Sequence, residues 1–366
     1  MYRSVWWIVL TLLVVTLAGC PRKSNAPSHQ KPLVVATTTM IAEMARLIGG
    51  NAVRVHSIMR VAEDPHTHQP TSKDALYFQR ANLILVNGLH LEGKMLDMIN
   101  NAGKKAVKVA EQSGIKTRKS GAAADPHVWW NAEFFAQMTQ KASDAMLVLF
   151  KDKPAVQKDI RARTKAYIQR LRDVHKAIKV LFASIPNDRR WMITSHDAFF
   201  YFGDAYGIKV DAVGGISTEA RVRAAEALRL AKLVSSKKIR AIFSETSVSQ
   251  SLNDILASVM RLAKEKYQYK VLLRGPLYSD SLGEKNTPAG SYIGAIKANA
   301  TIVYESLTGK KAPASFVASG KNVSAPTSRK AVSNTTQNAV KRLPTNRRIP
   351  HRAKPAAART SGKKEK

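Results

Sequence analysis

The stretch KPAVQKDIRARTKAYIQRLRDVHKAIKVLFA, Lys153–Ala183, decides how the chain is organised. It has no glycine, and its one proline, Pro154, sits where the first turn of a helix tolerates it. Its many Lys, Arg and Asp residues, with Val, Ile, Tyr and Leu spaced between them, predict one long exposed helix, roughly 45 Å at 1.5 Å per residue. Ile185-Pro186-Asn187-Asp188 then ends it.

Outward from this rod, both sides carry the same kind of pattern. Short β-rich runs recur at Pro32–Thr39, Val53–Met59, Asn82–Asn87, Trp191–Ser195, Ile208–Val213, Ile239–Ser244 and Lys270–Leu273. Amphipathic helical patterns lie between most of them, as at Met40–Gly49, Phe134–Phe150 and Arg221–Ser236. Strands alternating with helices imply largely parallel sheets covered on both faces. The expected fold is therefore α/β, with two doubly wound domains joined by one long rigid helix. Its expected parts are an N-terminal α/β domain over 32–152, a linking helix over 153–185 and a C-terminal α/β domain over 186–307.

The two ends read differently. Arg3 precedes an apolar run of 14 residues, Trp6–Gly19, interrupted only by Thr11 and Thr16. That is short of the roughly 20 residues a membrane-spanning helix needs, so residues 1–20 read as an export signal. Its end, Leu17-Ala18-Gly19-Cys20, resembles a bacterial lipobox, in which Cys20 becomes the acylated first residue that holds the chain at a membrane. Residues 21–31 are polar and proline-containing, as a tether should be. Residues 308–366 hold 15 Lys/Arg, one acidic residue and one aromatic residue, Phe316, with no hydrophobic period, and so read as a basic disordered tail.

Composition narrows the function. The 366 residues carry Lys+Arg 59 against Asp+Glu 26, a formal charge of +33, and one cysteine. One cysteine excludes an intramolecular disulfide framework and any zinc site built from several thiolates. The charge raises an anionic partner. Nucleic acid conflicts with the export signal and with the scarcity of aromatic residues for base stacking in the tail. Anionic lipid or cell-wall groups suit the tail better.

Five of the nine histidines stand where an open α/β sheet places ligand sites: His66, His68, His90, His127 and His196. Asp64-Pro65-His66 and Asp125-Pro126-His127 repeat one tripeptide in two loops of the first half. Proline stiffens each turn, and the aspartate can orient the turn or the imidazole. His196 follows the strand Trp191–Ser195, and Asp280 lies in a loop after the strand that ends near Leu273. Ser195-His196-Asp197 cannot be a hydrolytic triad, because adjacent side chains diverge. Three imidazoles and one carboxylate form a set without sulfur. Zinc fits it best, with manganese(II) and iron(II) as alternatives.

Several segments, in order, resemble one family: the cluster A-I metal-binding lipoproteins that serve zinc and manganese ABC importers. They are Asp64-Pro65-His66 followed by Pro70, Ala81-Asn82-Leu83-Ile84-Leu85-Val86-Asn87-Gly88-Leu89-His90-Leu91-Glu92, Asp125-Pro126-His127-Val128-Trp129, Ser195-His196-Asp197-Ala198-Phe199, Gly215-Ile216-Ser217-Thr218-Glu219-Ala220 and Ser279-Asp280-Ser281-Leu282-Gly283. The resemblance covers about residues 32–311. It implies an exported, lipid-anchored, non-enzymatic receptor at a periplasmic or extracellular membrane face, which passes a divalent metal to an ABC permease. It also implies that His66, His127, His196 and Asp280 form one metal site in the interdomain cleft. Histidine at the third position leans toward zinc, since some manganese or iron members carry glutamate there; the absence of a His- and acid-rich loop weakens an exclusive zinc assignment. Where the family often has an aromatic residue, this chain has His68, an alternative ligand. His90 reads as structural support, and Glu245 as a carboxylate beside the ligands or a spare ligand. Arg221-Val222-Arg223 replaces the usual acidic-proline segment. A metal-dependent hydrolase and a surface adhesin that also binds metal are the rival readings.

Overall fold

The computed structural model describes residues 30–121 and 123–318. The export signal, Cys20 and most of the tether lie outside the described residues, as does the tail beyond Ala318. The first half contains β1 (Leu33–Ala36), α1 (Thr39–Gly49), β2 (Arg54–Ser57), α2 (Ser72–Arg80), β3 (Leu83–Val86), α3 (Leu96–Asn101), β4 (Ala106–Lys108), a small hairpin of β5 (Lys119–Ser120) and β6 (Ala123–Ala124), and α4 (Ala132–Val148). Helix α5 (Pro154–Ala183) follows. The second half contains β7 (Trp191–Thr194), α6 (Phe200–Tyr206), β8 (Lys209–Ala212), α7 (Ala224–Ser236), β9 (Ala241–Glu245), α8 (Gln250–Tyr267), β10 (Leu272–Leu277), α9 (Tyr292–Thr308) and α10 (Ala314–Ala318).

Each half builds one four-stranded parallel sheet, in the orders β2-β1-β3-β4 and β10-β9-β7-β8. Numbered within its own half, each sheet has the same order, second-first-third-fourth. Both therefore reverse direction beside their first strand, the position where open α/β sheets form a crevice. Strands β1 and β3 are buried along their whole length, which explains their unbroken apolar runs. The helix starts are written locally. Thr38 accepts the Ile41 N–H at the start of α1, and Thr71 and Asp74 form a reciprocal capping box on α2.

The long helix is present, but it is not simply exposed. Ile160, Thr164, Tyr167, Leu171, Val174, Ile178 and Leu181 form a buried stripe along its whole length. This stripe joins a core cluster that runs through both halves and includes Val34, Trp130, Phe135, Phe182, Phe199, Phe243 and Tyr292. Smaller clusters fill the outer face of each sheet, around Val35 and Ile84 in the first and Ile193 and Ile242 in the second. The sequence conceals this embedding because the many charges on α5 surround a narrow apolar seam. Helix α5 meets the amino-terminal edges of the two sheets near its ends, where the Arg163 guanidinium packs on Gly50 in the turn leading to β2 and Arg190, just before β7, donates to the carbonyls of Ala183 and Ile185; between them Arg172 pairs with Glu133 at the start of α4.

The disorder expected from Thr308 begins too early in the chain. Residues 308–318 are described and include α10, with Phe316 only 7% exposed and Ala312 also buried. The segment's single aromatic residue anchors it on the common core, and the Lys297 ammonium lies 5.0 Å from the ring centroid. Among the described residues, no helix is long and apolar enough to cross a membrane.

Candidate metal centre

The two Asp-Pro-His tripeptides fold alike. The His66 N–H donates to Asp64 Oδ1 at 2.9 Å, and the His127 N–H donates to Asp125 Oδ1 at 3.1 Å. Each aspartate thus closes a tight turn that presents the histidine beyond the carboxyl ends of the first sheet. His196 leaves the end of β7, and Asp280 leaves the loop after β10. Trp129 and Trp130 both donate their indole N–H to the Ser279 carbonyl, at 3.0 and 2.7 Å. These two bonds pin the Asp280 loop to the segment that carries His127.

The four side chains converge. Ligand-type atoms of His66, His127, His196 and Asp280 all lie within 4.8 Å of one another, and all four residues are buried. Asp280 Oδ2 is 3.2 Å from His196 Nε2 and 3.6 Å from His66 Nε2, while Oδ1 is 3.8 Å from His127 Nε2. The Nε2 atoms of His66 and His127 are 3.1 Å apart. Carboxylates hold two of the rings from behind. His127 Nδ1 is 2.8 Å from Asp125 Oδ1, and His196 Nδ1 is 2.5 Å from Glu245 Oε2, whose Oε1 accepts the His196 backbone N–H at 2.8 Å. A carboxylate at Nδ1 places the proton there and leaves the Nε2 lone pair for the centre.

Three atoms at this centre, His196 Nε2 and both Asp280 oxygens, are buried without a hydrogen-bond partner. Buried polar atoms of this kind are costly unless something else satisfies them, and a cation among three imidazoles and a carboxylate would do so. The donor set therefore fits a transition metal. Burial pushes the Asp280 carboxyl up, but His196 foremost, with His127 and His66, outweighs it and holds the group well below the ordinary carboxylate range. Burial pushes His66 down to about 3, so its imidazole stays neutral and able to ligate. At His196 burial acts downward, yet the flanking Glu245 and Asp280 carboxylates raise it well above its ordinary value. A metal entering here would take the place of the His196 proton.

The other sequence candidates fall elsewhere. His68 is outside the four-residue group; its Nδ1 is 2.6 Å from Glu63 Oε1 and its Nε2 faces Asp74 at 3.7 Å, so its ring is directed to those carboxylates. His90 is exposed, on a turn where Gly88, Leu89 and His90 all have positive φ. Support for that turn comes instead from Glu92, which accepts the Asn87 and Gly88 N–H groups and the Thr37 hydroxyl. Glu245 stands behind His196 rather than inside the group.

One important residue carries no sequence signal. Arg118 Nη2 donates to Asp125 Oδ2 at 2.7 Å and to Asp197 Oδ2 at 2.6 Å, and its guanidinium lies 3.9 Å from the Phe200 ring centroid. It joins the support of His127 to the residue beside His196, across the two halves. The Thr218 hydroxyl to Asp64 bond at 2.6 Å and the Lys94–Glu219 ion pair at 2.7 Å also cross the cleft. Nothing in the polar stretch around Arg118 marks it, because its partners are set by packing between distant segments.

Comparison with known proteins agrees with this geometry. The family model described as zinc-uptake complex component A, periplasmic, matches residues 34–306. The manganese-binding lipoprotein MntA of Bacillus subtilis is 36% identical over 299 residues, covering 80% of this chain and 95% of the relative. The zinc-binding protein TroA of Treponema pallidum is 31% identical over 287 residues, covering 77% of this chain and 91% of the relative. The solved structure of the periplasmic zinc-binding protein TroA superposes with a TM-score of 0.71 at 32% identity, covering 76% of this chain and 99% of that one. With its paired parallel sheets and buried three-histidine, one-aspartate cluster, this chain belongs to the zinc-uptake component A family, the cluster A-I substrate-binding receptors of metal ABC transporters, and is not an enzyme.

Proposed function

We propose that the protein captures one divalent transition metal through His66, His127, His196 and Asp280 and delivers it to the permease of an ABC importer. The observation that carries this reading is the convergence of buried ligand atoms from both halves on one point, three of them, His196 Nε2 and both Asp280 oxygens, without a hydrogen-bond partner. Two ligands come from each half, so a small separation of the halves breaks the coordination set at once. Four protein ligands suit carriage, because a catalytic zinc keeps one position open for water. Three imidazole nitrogens favour zinc, whereas a carboxylate with both oxygens turned inward suits manganese, and iron(II) fits the same donors. Zinc is the first assignment.

Export and acylation at Cys20 would place the receptor on a membrane surface, at a periplasmic or extracellular face. The basic residues beyond Ala318 would add attraction to anionic lipid or cell-wall groups. The test is equilibrium titration of zinc and manganese, in competition, against the parent and the His127→Ala and Asp280→Ala variants. One bound metal per chain, with affinity lost by at least about 100-fold in each variant, is the expected result. Unchanged affinity in both variants refutes the assignment.

A further inference from the structure

We propose that the exposed basic stripe on α5 is a docking surface for an anionic lipid bilayer. Lys158, Arg161, Lys165, Arg172, Lys176 and Lys179 are all exposed. At 100° per residue they fall within a sector of about 60°, and they extend roughly 32 Å along the helix. The two acidic residues of α5, Asp159 and Asp173, lie outside that sector. Of the six cations, only Arg172 has a carboxylate partner among the described residues, Glu133 at 3.2 Å. On the neighbouring α4, Asp144 accepts from the Gln140 amide.

The placement of the stripe favours a flat surface over a flexible polyanion. Helix α5 runs from the amino-terminal edge of the first sheet, where Arg163 packs on Gly50 before β2, to that of the second, where Arg190 before β7 donates to the Ile185 carbonyl. The described chain begins at the first of these edges, where Leu33 of β1 pairs with Arg54 of β2. The eleven residues between Cys20 and Pro32 reach at most about 40 Å, so an acylated Cys20 would keep this edge near its membrane. A straight stripe on a helix fixed by its buried seam can meet many headgroups at once. The orientation rests on the anchored-receptor reading above; the affinity of the stripe for lipid does not.

Sedimentation with vesicles tests this, using residues 21–366; among the described residues every buried apolar side chain lies between Leu33 and Phe316, so removing the signal keeps that core whole. Expected is binding to equimolar phosphatidylglycerol and phosphatidylcholine, none to phosphatidylcholine alone, and release in half-molar salt. The variant K158Q/R161Q/K165Q/K176Q should lower the partition by at least about 100-fold, at roughly five-fold per residue. Arginine at the three lysine positions should retain it. Melting temperature and metal affinity should match the parent throughout, which separates loss of docking from loss of fold and from failure of the receptor reading. If the quadruple variant misfolds, the pairs K158Q/K165Q and K176Q/K179Q serve instead. Partition of the glutamine variants within two-fold of the parent overturns the proposal. So does loss of all binding in a chain ending at Ala318, or binding to soluble poly(glycerol phosphate) without binding to vesicles.

Discussion

Glu245→Gln probes how the centre is held. In the parent, one carboxylate serves two donors: the His196 backbone N–H at 2.8 Å and the ring Nδ1–H at 2.5 Å. Both contacts require an acceptor, and Glu245 is 3% exposed, so water does not replace it. Glutamine offers one acceptor and one NH₂. If its oxygen faces the ring, the NH₂ opposes the backbone N–H, leaving a buried donor unsatisfied at about 1–3 kcal/mol. If its oxygen faces the backbone, the NH₂ forces the imidazole into the tautomer protonated at Nε2, which removes the lone pair aimed at Asp280 and the metal. Loss of the negative charge also lowers His196 toward its ordinary value, which lessens proton competition and partly offsets the damage. The net expectation is a 10- to 100-fold weaker affinity, about 1.4–2.7 kcal/mol. Competition against a chromophoric chelator at pH 7 measures it, with thermal melting alongside. Lower stability with metal affinity within two-fold of the parent would refute the reasoning, since Glu245 would then brace the fold without setting the ligand.

Two further outcomes follow from neighbouring contacts. Arg118→Ala removes the bridge between Asp125 and Asp197 and should speed metal release in a chelator-challenge assay by at least about ten-fold, with Arg118→Lys recovering part of it; an unchanged release rate sinks the clamp. Burial pushes Glu43, which accepts the Tyr167 hydroxyl at 2.9 Å, up to about 7, so the folded chain holds a proton that the unfolded chain gives up near 4.5. Stability should therefore fall as pH rises through this window, by on the order of 3 kcal/mol at most, and Glu43→Gln should flatten that part of the urea-denaturation profile; an identical slope in the variant contradicts the assignment.

What the sequence made legible is what local rules determine. Strands β1 and β3 are unbroken apolar runs, and the long helix has neither glycine nor internal proline, so these were readable from residue type alone. The doubled Asp-Pro-His turn was readable because proline and aspartate impose its geometry within three residues. Two things stayed hidden because they depend on partners far along the chain. Strand β4, Ala106–Lys108, is only half-buried at a sheet edge and has no alternation to mark it. The supports of the site were obscure for the same reason: the Trp129 and Trp130 bonds to Ser279 span about 150 residues, and Arg118 meets Asp197 across 79. His68 shows the converse. The family resemblance made it an alternative ligand, and in the fold a local carboxylate, Glu63, holds the ring.

The same contacts bear on how a receptor of this kind gives up its metal. A core shared through α5 resists wide opening, because separating the halves would expose residues such as Phe199, Phe243 and Tyr292. The polar contacts across the cleft are different in kind: Arg118 with Asp197 and Lys94 with Glu219 are part-exposed on both sides, so water can replace either partner at small cost. Opening is therefore least costly at the cleft mouth and most costly at α5. That gradient favours a limited rocking of the mouth over a hinge through the whole body. Ligand atoms 3–4 Å apart need little rocking to lose their common centre, so a permease that gripped only the mouth could supply enough work to release the ion while leaving the core closed.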